Sequence, residues 1–227
     1  MKTIMEIQNI KMYKNAFLAI FKHLDQAEIR IMSRLNKFLN KLVVNTYPDI
    51  YDENMGTLIL KNDNLELFKN CKGYDNDEIC KHAIKYGAIN ILKYAHENGC
   101  SLGKHSANIA IVYAAKYGNL ECMKYVHKTV NNWGHNIYKN VCEITAKYGN
   151  LECLIYAHEN NCPWYAKTCS VAAEHGNLDC LIYAHKNNCP WDENTCSGAA
   201  KNGHLDCLIY ACENDCPWDK SLSLIHI

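Results

Sequence analysis

Cys153, His158 and Cys162 are spaced so that thiolate and imidazole could meet, and they recur as Cys180, His185 and Cys189. Such groups either hold a structural zinc ion or, when histidine activates cysteine, make a nucleophile. The spacing argues against both. A structural zinc site closes four ligands around pairs at C-x2–4-C spacing, whereas this chain has no C-x-x-C, and its close spacings, Cys212-x3-Cys216 and Cys207-x4-Cys212, share one cysteine. In the last copy Cys212 also replaces the histidine. A catalytic thiolate needs one polar, partly exposed setting, and here the candidates are repeated copies of one another. No P-loop or dinucleotide fingerprint occurs. The sequence therefore predicts no catalytic residues, no metal and no cofactor, with a zinc-binding Cys/His repeat module as the disfavoured alternative.

The cysteines are better explained by their phase. Cys122, Cys153, Cys180 and Cys207 each lie four residues after a glycine, and Cys162, Cys189 and Cys216 lie thirteen after one. Free cysteine is among the most buried residue types and behaves as a small apolar side chain. The phase follows from a repeat: GNLECLIYAHENNCPWY (149–165), GNLDCLIYAHKNNCPWD (176–192) and GHLDCLIYACENDCPWD (203–219). A unit copied at fixed period cannot bury its apolar face alone and stacks on its neighbours, which is the signature of a solenoid.

The regular units are marked by Gly87, Gly118, Gly149, Gly176 and Gly203, spaced 31, 31, 27 and 27 residues apart. Before each glycine runs a short helix with small residues near its end (Ala83, Ala114-Ala115, Ala146, Ala172-Ala173, Ala199-Ala200), which lets neighbouring helices approach closely. The glycine suits the left-handed conformation that ends a helix. A second helix follows at once: Asn119, Asn150 and Asn177 are candidate N-caps, and Glu121, Glu152, Asp179 and Asp206 place negative charge on its first turn. Leucine at glycine plus two and mostly plus five, with tyrosine at plus seven (Tyr94, Tyr125, Tyr156, Tyr183, Tyr210), forms the apolar seam between units. Trp133, Trp164, Trp191 and Trp218 keep the same phase, three of them after Pro163, Pro190 and Pro217. Strict phase favours packing between successive second helices over ligand binding, with Asp192 and Asp219 stabilising the turn.

These units resemble ankyrin repeats. Counting from the glycine, Cys180, Leu181, Tyr183, Ala184, Asn188 and Cys189 stand where that family has its apolar residues, its glycine at plus twelve and its alanine at plus thirteen. Ala199-Ala200 matches the family's Ala-Ala, and Cys196 occupies the leucine of its Thr-Pro-Leu. The resemblance covers about residues 55–219, with a degenerate first unit at MGTLILKNDNLELFKN, where Asp63 replaces the glycine, then five regular units and the start of a sixth. Two departures matter. The 27-residue units lack about six residues of the family's usual length, lost where the hairpin finger would be. Thr195-Cys196-Ser197-Gly198 replaces Thr-Pro-Leu-His. Short units with Cys-Pro-Trp-Asp linkers resemble the ankyrin-like families abundant in giant viruses and some protists, which implies a cytoplasmic location, the host cell's cytoplasm if the source is viral.

Upstream, residues 1–50 carry apolar positions at helical spacing that end at Tyr47-Pro48. AFLAIFKHLDQAEIRIMSRLNKFLNKLVV resembles an F-box, with Ile20, Phe21 and Leu24 in its ile-x-x-tyr-leu run but without its Leu-Pro opening. The alternative is a plain helical cap. Downstream, LSLIHI (222–227) abandons the repeat and matches the in-frame translation of a transposon-end adapter used in sequencing libraries, so residues 220–227 are expected to be non-native.

With 24 basic and 24 acidic residues and 48% apolar content, the 227-residue chain can bury a core and has no electrostatic pull toward nucleic acid or an anionic membrane. Nor does any stretch reach the ~18 consecutive apolar residues of a membrane span. The expected fold is an all-α solenoid of ankyrin-like helix-turn-helix units behind a short helical N-terminal segment. Its expected function is binding a protein partner through the face lined by the first helices, where Lys85-Tyr86, Lys116-Tyr117, Lys147-Tyr148 and His175 precede their glycines. The F-box resemblance implies a second possibility, a substrate adaptor docking on a cullin-type ubiquitin ligase through residues 1–50.

Overall fold

In the computed structural model, residues 59–69, 76–100, 102, 104–130 and 140–218 are described. The F-box-like segment, the boundary near Pro48, Trp133 and the tail 220–227 lie outside them. The described residues form eleven bounded helices and no strand: α1 (Leu65–Phe68), α2 (Asn76–Tyr86), α3 (Ile89–Glu97), α4 (Lys104–Tyr117), α5 (Leu120–Val130), α6 (Val141–Lys147), α7 (Leu151–Glu159), α8 (Ala166–Glu174), α9 (Leu178–Lys186), α10 (Glu193–Lys201) and α11 (Leu205–Glu213).

The helices stack in two rows. α2, α4, α6, α8 and α10 pack one on the next as a row of first helices, while α1, α3, α5, α7, α9 and α11 form the row of second helices. Each first helix also packs on the second helix that follows it. The sequence dictates this arrangement: Ala83, Ala114, Ala115, Ala146, Ala172, Ala173 and Ala199 are fully buried where first helices approach each other. Leu92, Met123, Leu154, Leu181 and Leu208, all at glycine plus five, are buried under the second row. Burial of a side chain of that size is worth about 1.5–3 kcal/mol each. At the last unit the cover ends, and Leu205 is 56% exposed whereas Leu151 and Leu178 at the same position are half-buried.

The turn inside each unit joins neighbouring units as well. Gly149 has φ +72°, and a Cβ there would lie 2.7 Å from Oδ1 of Asn177 in the next unit. A side chain there would be strained in conformation and would have to displace the Asn177 amide. Asn150 and Asn177 do occupy N-cap positions, yet neither side chain caps its helix, which differs from the expectation above. Instead each amide reaches back to the preceding unit and donates to the last carbonyls of its first helix: Asn119 to Ile84 and Lys85, Asn150 to Ala115 and Lys116, Asn177 to Ala146 and Lys147 at 2.8 Å each. Helix C-termini leave carbonyls without intrahelical partners, and the asparagine of the next unit satisfies two of them. Asp63 adopts φ +46° in place of the glycine, as its alignment implied, and its carboxylate accepts from the backbone N–H of Asn90 and Ile91 in the first turn of α3. A second left-handed turn closes α3, α7, α9 and α11 at Gly99, Asn161, Asn188 and Asp215.

Candidate functional site

The histidines of the second helices reach across to the next unit. Each hydrogen-bonds through Nδ1 to the tyrosine hydroxyl of the next unit: His96 to Tyr125, His127 to Tyr156, His158 to Tyr183 and His185 to Tyr210, at 2.8–2.9 Å. The ring of Trp164 stacks on His158 at 3.8 Å between centroids and meets Tyr183 edge-on; Trp191 does the same with His185 and Tyr210. Both indoles are therefore half-buried packing groups of the second row. Trp218, which has no histidine beneath it because Cys212 stands there, is 44% exposed. Burial lowers the pKa of His127 and raises those of Tyr125, Tyr156, Tyr183 and Tyr210. Among the described residues no three His, Cys, Asp or Glu side chains converge as metal ligands would.

The thiols at glycine plus four are buried, as the phase implied. Burial pushes Cys122 and Cys180 up to about 12 and Cys153 to about 11, so little reactive thiolate forms there. The thiols at plus thirteen are buried but are not mere fillers. Each faces a cysteine seven residues before its glycine: Cys142 with Cys162, Cys169 with Cys189, and Cys196 with Cys216, while Cys80 and Cys100 are joined as a disulfide. The separation of 20 residues carries the signal in the sequence, hidden because it links a first helix to the turn that follows the second.

The Lys and Tyr residues at the ends of the first helices assemble into one continuous strip. Tyr86 receives Lys61 and Lys85 over its ring at 5.8 and 5.3 Å; Tyr117 receives Lys85 and Lys116 at 5.9 and 5.5 Å; Tyr148 receives Lys116 and Lys147 at 5.5 and 6.0 Å. Lysine and tyrosine thus alternate across four units, each cation within the ~6 Å at which a ring face attracts it. Tyr86 is half-buried against the core, but Tyr117 and Tyr148 are 37% and 46% exposed. Among the described residues, no salt bridge engages Lys61, Lys85, Lys116 or Lys147. His175 stands apart: its Nδ1 contacts the Val171 carbonyl of its own helix.

Beyond the strip, an open groove of about 460 Å³ runs between α8 and α10. Lys167, Glu174, Asp192, Ser197, Lys201 and Asn202 line it, and Gly198 allows α10 to approach the backbone of Glu174. Sequence reading missed this groove, since its walls come from two first helices of different units that only stacking brings together.

No protein-family model matches the chain, and no curated protein matches it significantly. Among the described residues no helix is long and apolar enough to cross a membrane.

Proposed function

We propose that the chain is a protein-interaction scaffold, a solenoid of ankyrin-like units that holds its partner on the face formed by the ends of the first helices. The observation that carries this reading is the Lys–Tyr strip. A side chain that only filled space would be covered by its neighbours, yet Tyr117 and Tyr148 hold ring area in solvent, fixed in place by lysines on both sides. Preorganised tyrosines are favoured centres of binding energy because little conformational freedom remains to be lost on docking. The partner's matching chemistry is carboxylate-bearing, since the strip presents four ammonium groups that form no ion pair among the described residues.

The test is affinity capture from cells of the natural host with the full chain, compared with a Tyr117→Ala, Tyr148→Ala variant. The variant should lose the captured protein while keeping its helical circular dichroism, and raising the salt concentration should weaken capture by the unaltered chain. Equal recovery by both chains places the binding face elsewhere.

A further inference from the structure

Four of the described units contain a cysteine seven residues before the unit's glycine and another thirteen after it: Cys80/Cys100, Cys142/Cys162, Cys169/Cys189 and Cys196/Cys216. The unit of Gly118 lacks both, with Ile111 in the first position and Asn131 in the second. Space filling alone gives no reason for the two positions to be lost together, because they lie in different segments and either thiol would fill its place without the other. A covalent link does give one. The first pair is joined, and in the other three the thiols meet inside the unit, where Cys142 Sγ also approaches the Cys162 carbonyl at 3.8 Å. These six sulfurs are free thiols in the structure, as are the buried Cys122, Cys153, Cys180 and Cys207 at glycine plus four. The difference is that each of the six meets a second thiol, Cys196 reaching the exposed Cys212 as well as Cys216, whereas burial and nearby charge, not a thiol hydrogen bond, set the plus-four cysteines.

We propose that all four pairs are disulfide sites, each fastening the first helix of a unit to the turn that ends its second helix, with a low-molecular-weight disulfide such as oxidised glutathione as the co-reactant. One cysteine thiolate attacks the small disulfide, forming a mixed disulfide and releasing one small thiolate. The second cysteine, as thiolate, then attacks the protein sulfur of that mixed disulfide and expels the second small thiolate. Two electrons pass from the cysteine pair to the co-reactant, two S–H bonds are lost, and two molecules of small thiol carry the protons away. The sulfurs are shielded in the packed unit: Cys80, Cys100, Cys142, Cys162, Cys169 and Cys189 are all buried, as are Cys196 and Cys216. Exchange therefore takes place as a unit folds or opens, and packing afterwards protects the product. An oxidising compartment yields a chain clamped in four units, and a strongly reducing one leaves the same fold with the clamps open.

The experiment refolds the full chain from denaturant in a buffer of reduced and oxidised glutathione, blocks free thiols with iodoacetamide, and maps linkages by mass spectrometry. The expected product joins 80 to 100, 142 to 162, 169 to 189 and 196 to 216, with Cys71, Cys122, Cys153, Cys180, Cys207 and Cys212 alkylated. Linkages between units, linkages through the plus-four cysteines, or a folded chain with every cysteine alkylated overturn the proposal. Two variants guard against a folding artefact: Cys142→Ile, which copies Ile111, and Cys162→Ala. Each should lose the 142–162 link alone and leave the other three. A surviving cysteine that finds a new partner would show that the pairing is not set by position.

Discussion

At the scale of single residues, two requirements meet at each intra-unit glycine, and they can be separated. Gly149 takes φ +72° and abuts Asn177, whereas Gly203 takes φ +73° with nothing within 4 Å of the place a Cβ would occupy. Placing an L-residue in the left-handed region costs about 1–2 kcal/mol. Gly203→Ala should lose about that much in urea unfolding. Gly149→Ala should lose roughly 1–3 kcal/mol more, because displacing Asn177 leaves the Ala146 and Lys147 carbonyls without their donor. Equal losses would mean that the asparagine moves aside freely. The histidines give a second residue-scale prediction. Burial lowers the pKa of His127 from its ordinary 6.5, so the folded state keeps the ring neutral while the unfolded chain gains a proton near that value. The resulting stability is fully present above pH 6.5 and is lost as the pH falls from there through the folded value. Unfolding free energies measured between pH 8 and pH 5 should decline across this window, and His127→Gln should flatten the decline. An unchanged decline would assign it to another group.

At the scale of elements, the second row is held by an aromatic relay in which histidine, tryptophan and the next unit's tyrosine share one contact. Trp164 sits inside that relay and Trp218 outside it. Trp164→Ala should destabilise by about 2–4 kcal/mol, combining lost area with the lost stacking on His158. Trp218→Ala should change stability by about 0.5 kcal/mol or less. In the units of His158 and His185 the relay locks the imidazole, with Nδ1 engaged by tyrosine and a ring face covered by indole. The Lys–Tyr strip lies at the opposite extreme, built from the ends of the first row and left open.

At the scale of the described residues, stability is expected to be close to a sum of unit terms and nearest-neighbour terms, since the main helix–helix contacts fall within a unit or between adjacent units. Amide hydrogen exchange should therefore be slower in α9, which is covered by α7 and α11, than in α11, where Leu205 and Ile209 remain exposed. Uniform protection in the two helices would point to one cooperative block instead.

Much of this was legible in the chain itself. The fixed spacing of Gly149, Gly176 and Gly203, the alanines before them and the leucines after them identified the helix pairs, because backbone conformation and burial are demanded again in every copy. The packing of Trp164 and Trp191 followed from the same periodicity, and Asp63 at φ +46° was implied by its alignment with glycine. What the sequence obscured were contacts between positions far apart along it. Asn177 looked like a cap for its own helix and proved to serve Ala146 and Lys147 of the unit before. Cys162 looked like a space-filler and faces Cys142. Local pattern reports which backbone groups need partners and which side chains leave water; only the stacking of one unit on another decides which partner is within reach.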